Sequence, residues 1–136
     1  MKLQKITYED LSAKQKEIYN FQKVAAVLAD YGFNCIKLDD DWGGADFLAY
    51  HRDGYTIKVQ LKARLTIGKH YIDKELWMAF PHRGSWYLLE HDQLVALVEQ
   101  HAGSWLRSES WVQRGLYNSA KPSVALLGAL ESARIG

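Results

Sequence analysis

The sequence holds one cysteine, Cys35, and two prolines, Pro81 and Pro122, in 136 residues. A lone cysteine excludes an internal disulfide. Set beside Ile36 in an apolar run, it reads as a reduced, buried residue of a cytosolic protein and not as a reactive thiol. His51, His70, His82, His91 and His101 show no paired spacing with it of the kind a zinc site needs. No apolar run approaches the roughly 20 residues that span a bilayer, and MKLQKITYED has no signal-peptide core, so a cytoplasmic protein without a membrane partner is expected. Charge of one sign is also missing. The net charge of +1 gives no global basic signal, so any phosphate-binding surface must be local. The serines lack a nucleophile-elbow context, and Gly43-Gly44 lacks the Lys-Ser or Lys-Thr of a phosphate loop.

What is present is a folding composition. Hydrophobic residues make up 48%, with five Trp and eight Tyr, and the length suits a single domain over 1–136 with one core. Ser12 followed by Gln15 is a capping-box pattern, and the absence of Gly and Pro from Ala13 to Tyr31 predicts a first helix ending at Gly32. Its stripe is Glu17, Phe21, Val24, Leu28 and Tyr31, so an acid stands at one end of a buried face. Glu17 has two readings, a solvated residue that favours the helix N-terminus or a site acid.

Phe33 to Leu38 alternates as a strand, with Phe33 and Cys35 on one side and Ile36 and Leu38 on the other. Asp39 to Asp41 then reads as a solvated loop, and Gly43-Gly44 as a sharp turn. Arg52-Asp53-Gly54 suits a three-residue hairpin loop. That loop sets His51 opposite Tyr55 and Asp46 opposite Gln60. Asp46, Leu48, Tyr50, Lys58, Gln60, Lys62 and Arg64 then share a polar face, with Phe47, Ala49, Ile57, Val59 and Leu61 on the core face. A two-residue loop would send Asp46 to the other face.

The TIGKHYIDK stretch reads as a loop. Glu75 to Phe80 and Ser85 to Leu89 read as strands around a Pro81-His82-Arg83-Gly84 turn. Asp92 is expected to cap a helix to about His101. Ser104 to Asn118 is irregular, its Trp105 and Tyr117 fitting core packing better than base stacking. Pro122-Ser123 opens a last helix carrying Leu126, Leu127, Leu130 and Ile135. The plan predicts an α/β or α+β arrangement with a mixed sheet packed on helices.

Asp46, Gln60 and Lys62 would bring an acid, a neutral oxygen donor and a cation to one hairpin face. Hard cations such as Mg2+ or Mn2+ take oxygen ligands and need only one or two carboxylates from a protein, and a neighbouring lysine can orient water or stabilise charge on a phosphate.

GADFLA, a turn and IKVQLKAR resemble the PD-(D/E)XK nuclease superfamily, in which an Asp on one strand and an acid-x-Lys on the next hold a metal-dependent centre. The capped helix bearing Glu17 is similar to the Holliday-junction-resolvase-like branch, in which a helix acid joins the site. The likeness covers about Ala13 to Arg64. It implies a restriction-endonuclease-like α/β fold, a mixed β-sheet flanked by helices, and hydrolysis of DNA phosphodiester bonds with Mg2+ or Mn2+. Asp46, Gln60, Lys62 and Glu17 would be the catalytic set, with Asp46 and Gln60 on the metal. Lys58 and Arg64 would contact nucleic acid. Many of these enzymes cut two strands as dimers, so a homodimer is one expectation. Gln60 stands where the family usually has an acid, which removes one negative charge from the centre. A nucleic-acid-binding module of the same fold without catalysis is the alternative.

Overall fold

Ser12 starts the first helix as its sequence predicts. Its Oγ accepts from the Gln15 N–H at 3.2 Å, and its own N–H donates to Gln15 Oε1 at 2.9 Å, satisfying two otherwise orphaned groups reciprocally. The computed structural model describes the backbone of residues 1–136 and every side chain except those of Asp41 and Trp42. Helix α1 spans Ala13–Ala29 and buries Asn20, Val24 and Leu28. It ends before the expected Gly32, because Asp30 to Gly32 form a turn bonded back to Val27, Leu28 and Ala29.

Strand β1 (Phe33–Trp42) carries the chain straight through the acidic run, which corrects the loop expected there. Its pairing with β2 (Ala45–His51) shifts between Lys37 and Trp42, and Asp39 and Asp40 are exposed along it. The side chain of Asp41, which the acidic-loop reading included, lies outside the described residues, as does that of Trp42. Gly43 and Gly44, both at positive φ, close the turn into β2.

The second turn fixes the register. His51 N–H donates to the Tyr55 carbonyl at 2.8 Å and Gly54 N–H to the His51 carbonyl at 2.9 Å, with Gly54 at φ 102°. This is a three-residue loop whose last residue takes a conformation open to glycine. Strand β3 (Thr56–Leu61) therefore pairs with β2 as Phe47 with Val59 and Leu48 with Lys58, and the same count sets Asp46 against Gln60.

After β3 comes a short strand, β4 (Leu65–Gly68), buried throughout, which takes in the first three residues of the expected TIGKHYIDK loop. It pairs antiparallel with β7 (Leu116–Ser119) in a separate two-stranded sheet. Strands β5 (Leu76–His82) and β6 (Ser85–Glu90) form the second hairpin. Its turn is narrower than the sequence suggested. Only Arg83 and Gly84 turn, both at positive φ, while Pro81 and His82 stay in β5 opposite Trp86 and Ser85. Pro81 is tolerated because β3–β5 pairing stops at Leu61 and Ala79, before a partner would need its missing N–H.

Helix α2 (His91–His101) has Glu90 at its N-cap, so Asp92 lies in its first turn and is not the cap. Helix α3 (Val124–Ala129) is capped by Ser123, whose Oγ accepts from Leu126 N–H. It stops early, and Ile135 belongs to β8 (Arg134–Ile135), paired with β6. The main sheet runs β1-β2-β3-β5-β6-β8, with β3 and β5 parallel and the other neighbours antiparallel.

This is an α/β fold in which a mixed sheet divides the core in two. Against α1 lie Phe47, Ala49, Val59, Ala79 and Trp86 with Val24 and Leu28. The other face holds Leu76, Met78, Phe80 and Leu89 against β4, α2 and α3 through Leu65, Ile67, Leu94 and Leu126. Among the described residues, no helix is long and apolar enough to cross a membrane.

Candidate functional site

The hairpin register has a direct chemical result. Asp46 Oδ2 accepts from Gln60 Nε2 at 2.8 Å and from the Leu61 backbone N–H at 2.8 Å. Gln60 is only 6% exposed, and its Oε1 is buried with no hydrogen-bond partner. A buried amide oxygen in that state carries a desolvation cost unless something electropositive meets it. Gln60 turns its Nε2 toward Asp46 and leaves its Oε1 unbonded, so the two residues supply one carboxylate and one amide oxygen, donors of the type that Mg2+ or Mn2+ takes, with a single protein charge.

Gly44 shapes the approach to this pair. At φ 87°, it stands where a Cβ would lie 2.5 Å from Leu76 Cδ1 and 3.6 Å from the Tyr71 ring. The turn into Asp46 thus closes onto Tyr71, which lies in the stretch that reads as a loop from sequence. The Lys62 ammonium lies 5.9 Å from the centroid of that same ring. Tyr71 therefore connects the Asp46 turn to Lys62, and no spacing pattern in the sequence signals it. Lys62 follows the end of β3, and its N–H donates to the Ala79 carbonyl at 2.9 Å, which anchors the backbone beneath the side chain.

Three further residues of the expected set have other partners or surroundings. Glu17 is exposed on α1. Its Oε1 is 3.4 Å from Lys37 Nζ and its Oε2 is 3.8 Å from Lys14 Nζ. It shares with Lys62 a depression of about 270 Å³ at the end of β3. Lys58 is on the Asp46 face, but its Nζ donates to the Lys74 carbonyl at 2.9 Å. Arg64 is exposed in a bend beyond β3, which ends the strand alternation that had put it on the polar face. Among the described residues, no group of three or more His, Cys, Asp or Glu side chains is arranged to hold a metal ion.

The remaining candidates are structural. Burial pushes the Cys35 thiol up to about 11, so it is protonated near neutrality and is a poor nucleophile. Trp105 and Tyr117 stack on each other with ring centroids 4.6 Å apart and pack against the core. His91, fully buried, accepts from the Gly68 N–H through Nε2 at 3.1 Å, which leaves Nδ1 to donate to Asp92 Oδ1 at 3.2 Å. Burial holds its pKa below the ordinary value, outweighing the opposing pull of Asp92.

Because the unfolded chain takes up a proton at His91 more readily than the folded one, this stability is present above about pH 6.5 and is lost as pH falls below it. Urea midpoints measured from pH 8 to pH 5 should fall through that window. The fall should be shallower in His91→Gln, and equal slopes in the two proteins would remove His91 as its source.

No protein-family model matches the chain, and no curated protein matches it. Among solved structures it is similar to a Holliday junction resolvase from the archaeal hyperthermophile Archaeoglobus fulgidus. That match has 14% identity and a TM-score of 0.43, and covers 54% of this chain and 76% of the resolvase. A similarity this loose assigns neither family nor function, and the functional reading rests on the residues themselves.

Proposed function

We propose that this protein is a metal-dependent endonuclease of restriction-endonuclease-like fold that hydrolyses DNA phosphodiester bonds in the cytoplasm. The observation that carries the proposal is the buried Gln60 amide against the Asp46 carboxylate, with its Oε1 left without a hydrogen-bond partner. In this reading, Asp46 and Gln60 hold Mg2+ or Mn2+. A bound divalent ion supplies Lewis-acid polarisation of the phosphoryl group and eases deprotonation of the attacking water. Lys62, anchored through Ala79 and lying over Tyr71, brings a positive charge toward the phosphate as negative charge develops there. The Leu61 N–H holds the Asp46 carboxylate, so that ligand is oriented before substrate arrives. Lys58 and the exposed Arg64 offer phosphate contacts at the margin, whereas Glu17, already paired to Lys14 and Lys37, adds charge balance at the rim.

Purified protein with Mg2+ or Mn2+ should nick or cut supercoiled and branched DNA. Lys62→Ala should lower the rate by at least about two orders of magnitude, with unchanged folding by circular dichroism. Full activity in that variant would remove Lys62 from the chemistry, and inactivity of the wild type on every DNA form would sink the nuclease reading.

One observation favours a second reading, a nucleic-acid-binding module without catalysis: Asp46 Oδ2 already accepts two N–H groups. That reading predicts salt-sensitive binding indifferent to divalent metal.

A further inference from the structure

A trough runs along α1 and the segment before it, past the ends of β3 and β5. Two depressions of about 270 and 400 Å³ both have Tyr8, Asn20 and Ala63 in their linings. The first reaches Lys62, Lys16 and Glu17. The second reaches Tyr19, Lys23 and Trp86 beside the β5–β6 turn. The lining is built and not incidental. Asn20, 7% exposed, donates through Nδ2 to the Tyr8 hydroxyl at 2.9 Å, which pins the segment before α1 onto the helix. The Tyr8 and Tyr19 rings meet at 5.2 Å. Lys16 Nζ lies 5.4 Å from the Tyr8 centroid and Lys23 Nζ 5.3 Å from the Tyr19 centroid, so two ammonium groups are steered over aromatic rings.

Lys16 and Lys23 are seven residues apart, about 10.5 Å along the helix axis, and so share one side of it. Two ammonium groups thus stand along the trough, which ends at residue Lys62, and the carboxylate at its rim, Glu17, is offset by Lys14 and Lys37. Basic groups spaced along a groove and interleaved with aromatic rings match a chain of phosphates bearing unpaired bases. A duplex keeps its base faces stacked away from such rings.

We propose that this trough binds a single-stranded nucleic-acid segment, with Lys16 and Lys23 on its phosphates and the Tyr8–Tyr19 pair against its bases. The proposal deepens the nuclease reading and rests on it only in placing the strand's end at Lys62. A strand seated here leads from the hairpin turn at Gly84 toward the lysine of the candidate centre.

The test is fluorescence anisotropy of a fluorescein-labelled oligothymidylate with the full chain in EDTA, so that cleavage plays no part. Wild type should bind with an affinity that falls steeply with salt. Lys16→Ala/Lys23→Ala should bind roughly tenfold more weakly, with a log–log salt slope shallower by about 1.4, the loss expected for two phosphate contacts to a single strand. Lys16→Arg/Lys23→Arg should retain most of the affinity, and circular dichroism should show α1 intact in both variants. Absence of binding by wild type, an unchanged alanine double variant, or a preference for duplex of the same length would overturn the proposal. Single-strand binding without metal-dependent cleavage would leave the trough standing and remove the nuclease. Cleavage unaffected in KM by Lys16→Ala/Lys23→Ala would do the reverse.

Discussion

Asp46→Ala should abolish DNA cleavage and also lower folding stability by about 3 kcal/mol, because in the proposed centre one carboxylate would serve both roles. Its Oδ2 is the acceptor for Gln60 Nε2 and for the Leu61 N–H. Hydrogen bonds to a charged acceptor contribute about 1.5–3 kcal/mol each, and two that share an atom do not add fully. Truncation would leave a nearly buried amide with both polar ends unmatched. Loss of activity in the alanine variant is therefore ambiguous by itself, and Asp46→Asn resolves it. An asparagine oxygen still accepts from one donor, so roughly half of the stability should return, while cleavage should stay absent because the anionic ligand is gone. Urea midpoints and initial cleavage rates on the same preparations separate the two effects. Cleavage by Asp46→Asn at the wild-type rate would show that the carboxylate is structural only.

The second large effect is expected from Gln60→Glu, which puts an acid where the resembled motif has one. The new carboxylate would sit about 2.8 Å from Asp46 Oδ2, the present length of the amide contact. Two carboxylates at that distance repel unless a proton or a cation lies between them. Without divalent metal, the variant should lose about 1–3 kcal/mol, having exchanged a donor for a like charge. With Mg2+ the order reverses. Two hard anionic ligands should raise affinity roughly tenfold or more, and binding to the folded state alone lifts the unfolding midpoint as the ion is titrated. The informative quantity is the Mg2+-dependent shift in variant and wild type side by side. A variant that stays equally destabilised at every Mg2+ concentration would exclude a cation site at this pair.

Local chemistry was legible in the sequence where the determining groups are close along the chain. Ser12 and Gln15 cap each other within one turn, and Arg52-Asp53-Gly54 fixes a register that can be counted outward to Asp46 and Gln60. The misreadings have a different physical origin. Leu65–Gly68 looks like a loop because its partner, Leu116–Ser119, is remote in sequence and the pairing leaves no local period. Asp92 has the residue type of a cap but accepts from Asp73 N–H and His91 instead. Glu17 shows the sharpest limit. Helical spacing tells which side of α1 is buried, but not that Glu17 meets Lys14 and Lys37. Nor does alternation reveal where a strand stops, which is why Arg64 left the face assigned to it. Tyr71 carried no signal, since its part in the site arises from a close approach by Gly44 and Lys62 that only the folded chain creates.

The contact between Asp46 and Gln60 spans only 14 residues of chain, bridged by one tight loop. Short-range hairpins close in microseconds, whereas pairings that must bring distant segments together wait on the larger entropy of loop closure. The two oxygen ligands should thus be juxtaposed early in folding, while the face that buries Tyr71 awaits β4, α2 and the C-terminal elements. A divalent ion added to refolding protein would then meet its ligands before the lysine's aromatic support exists, and should speed folding as well as slow unfolding.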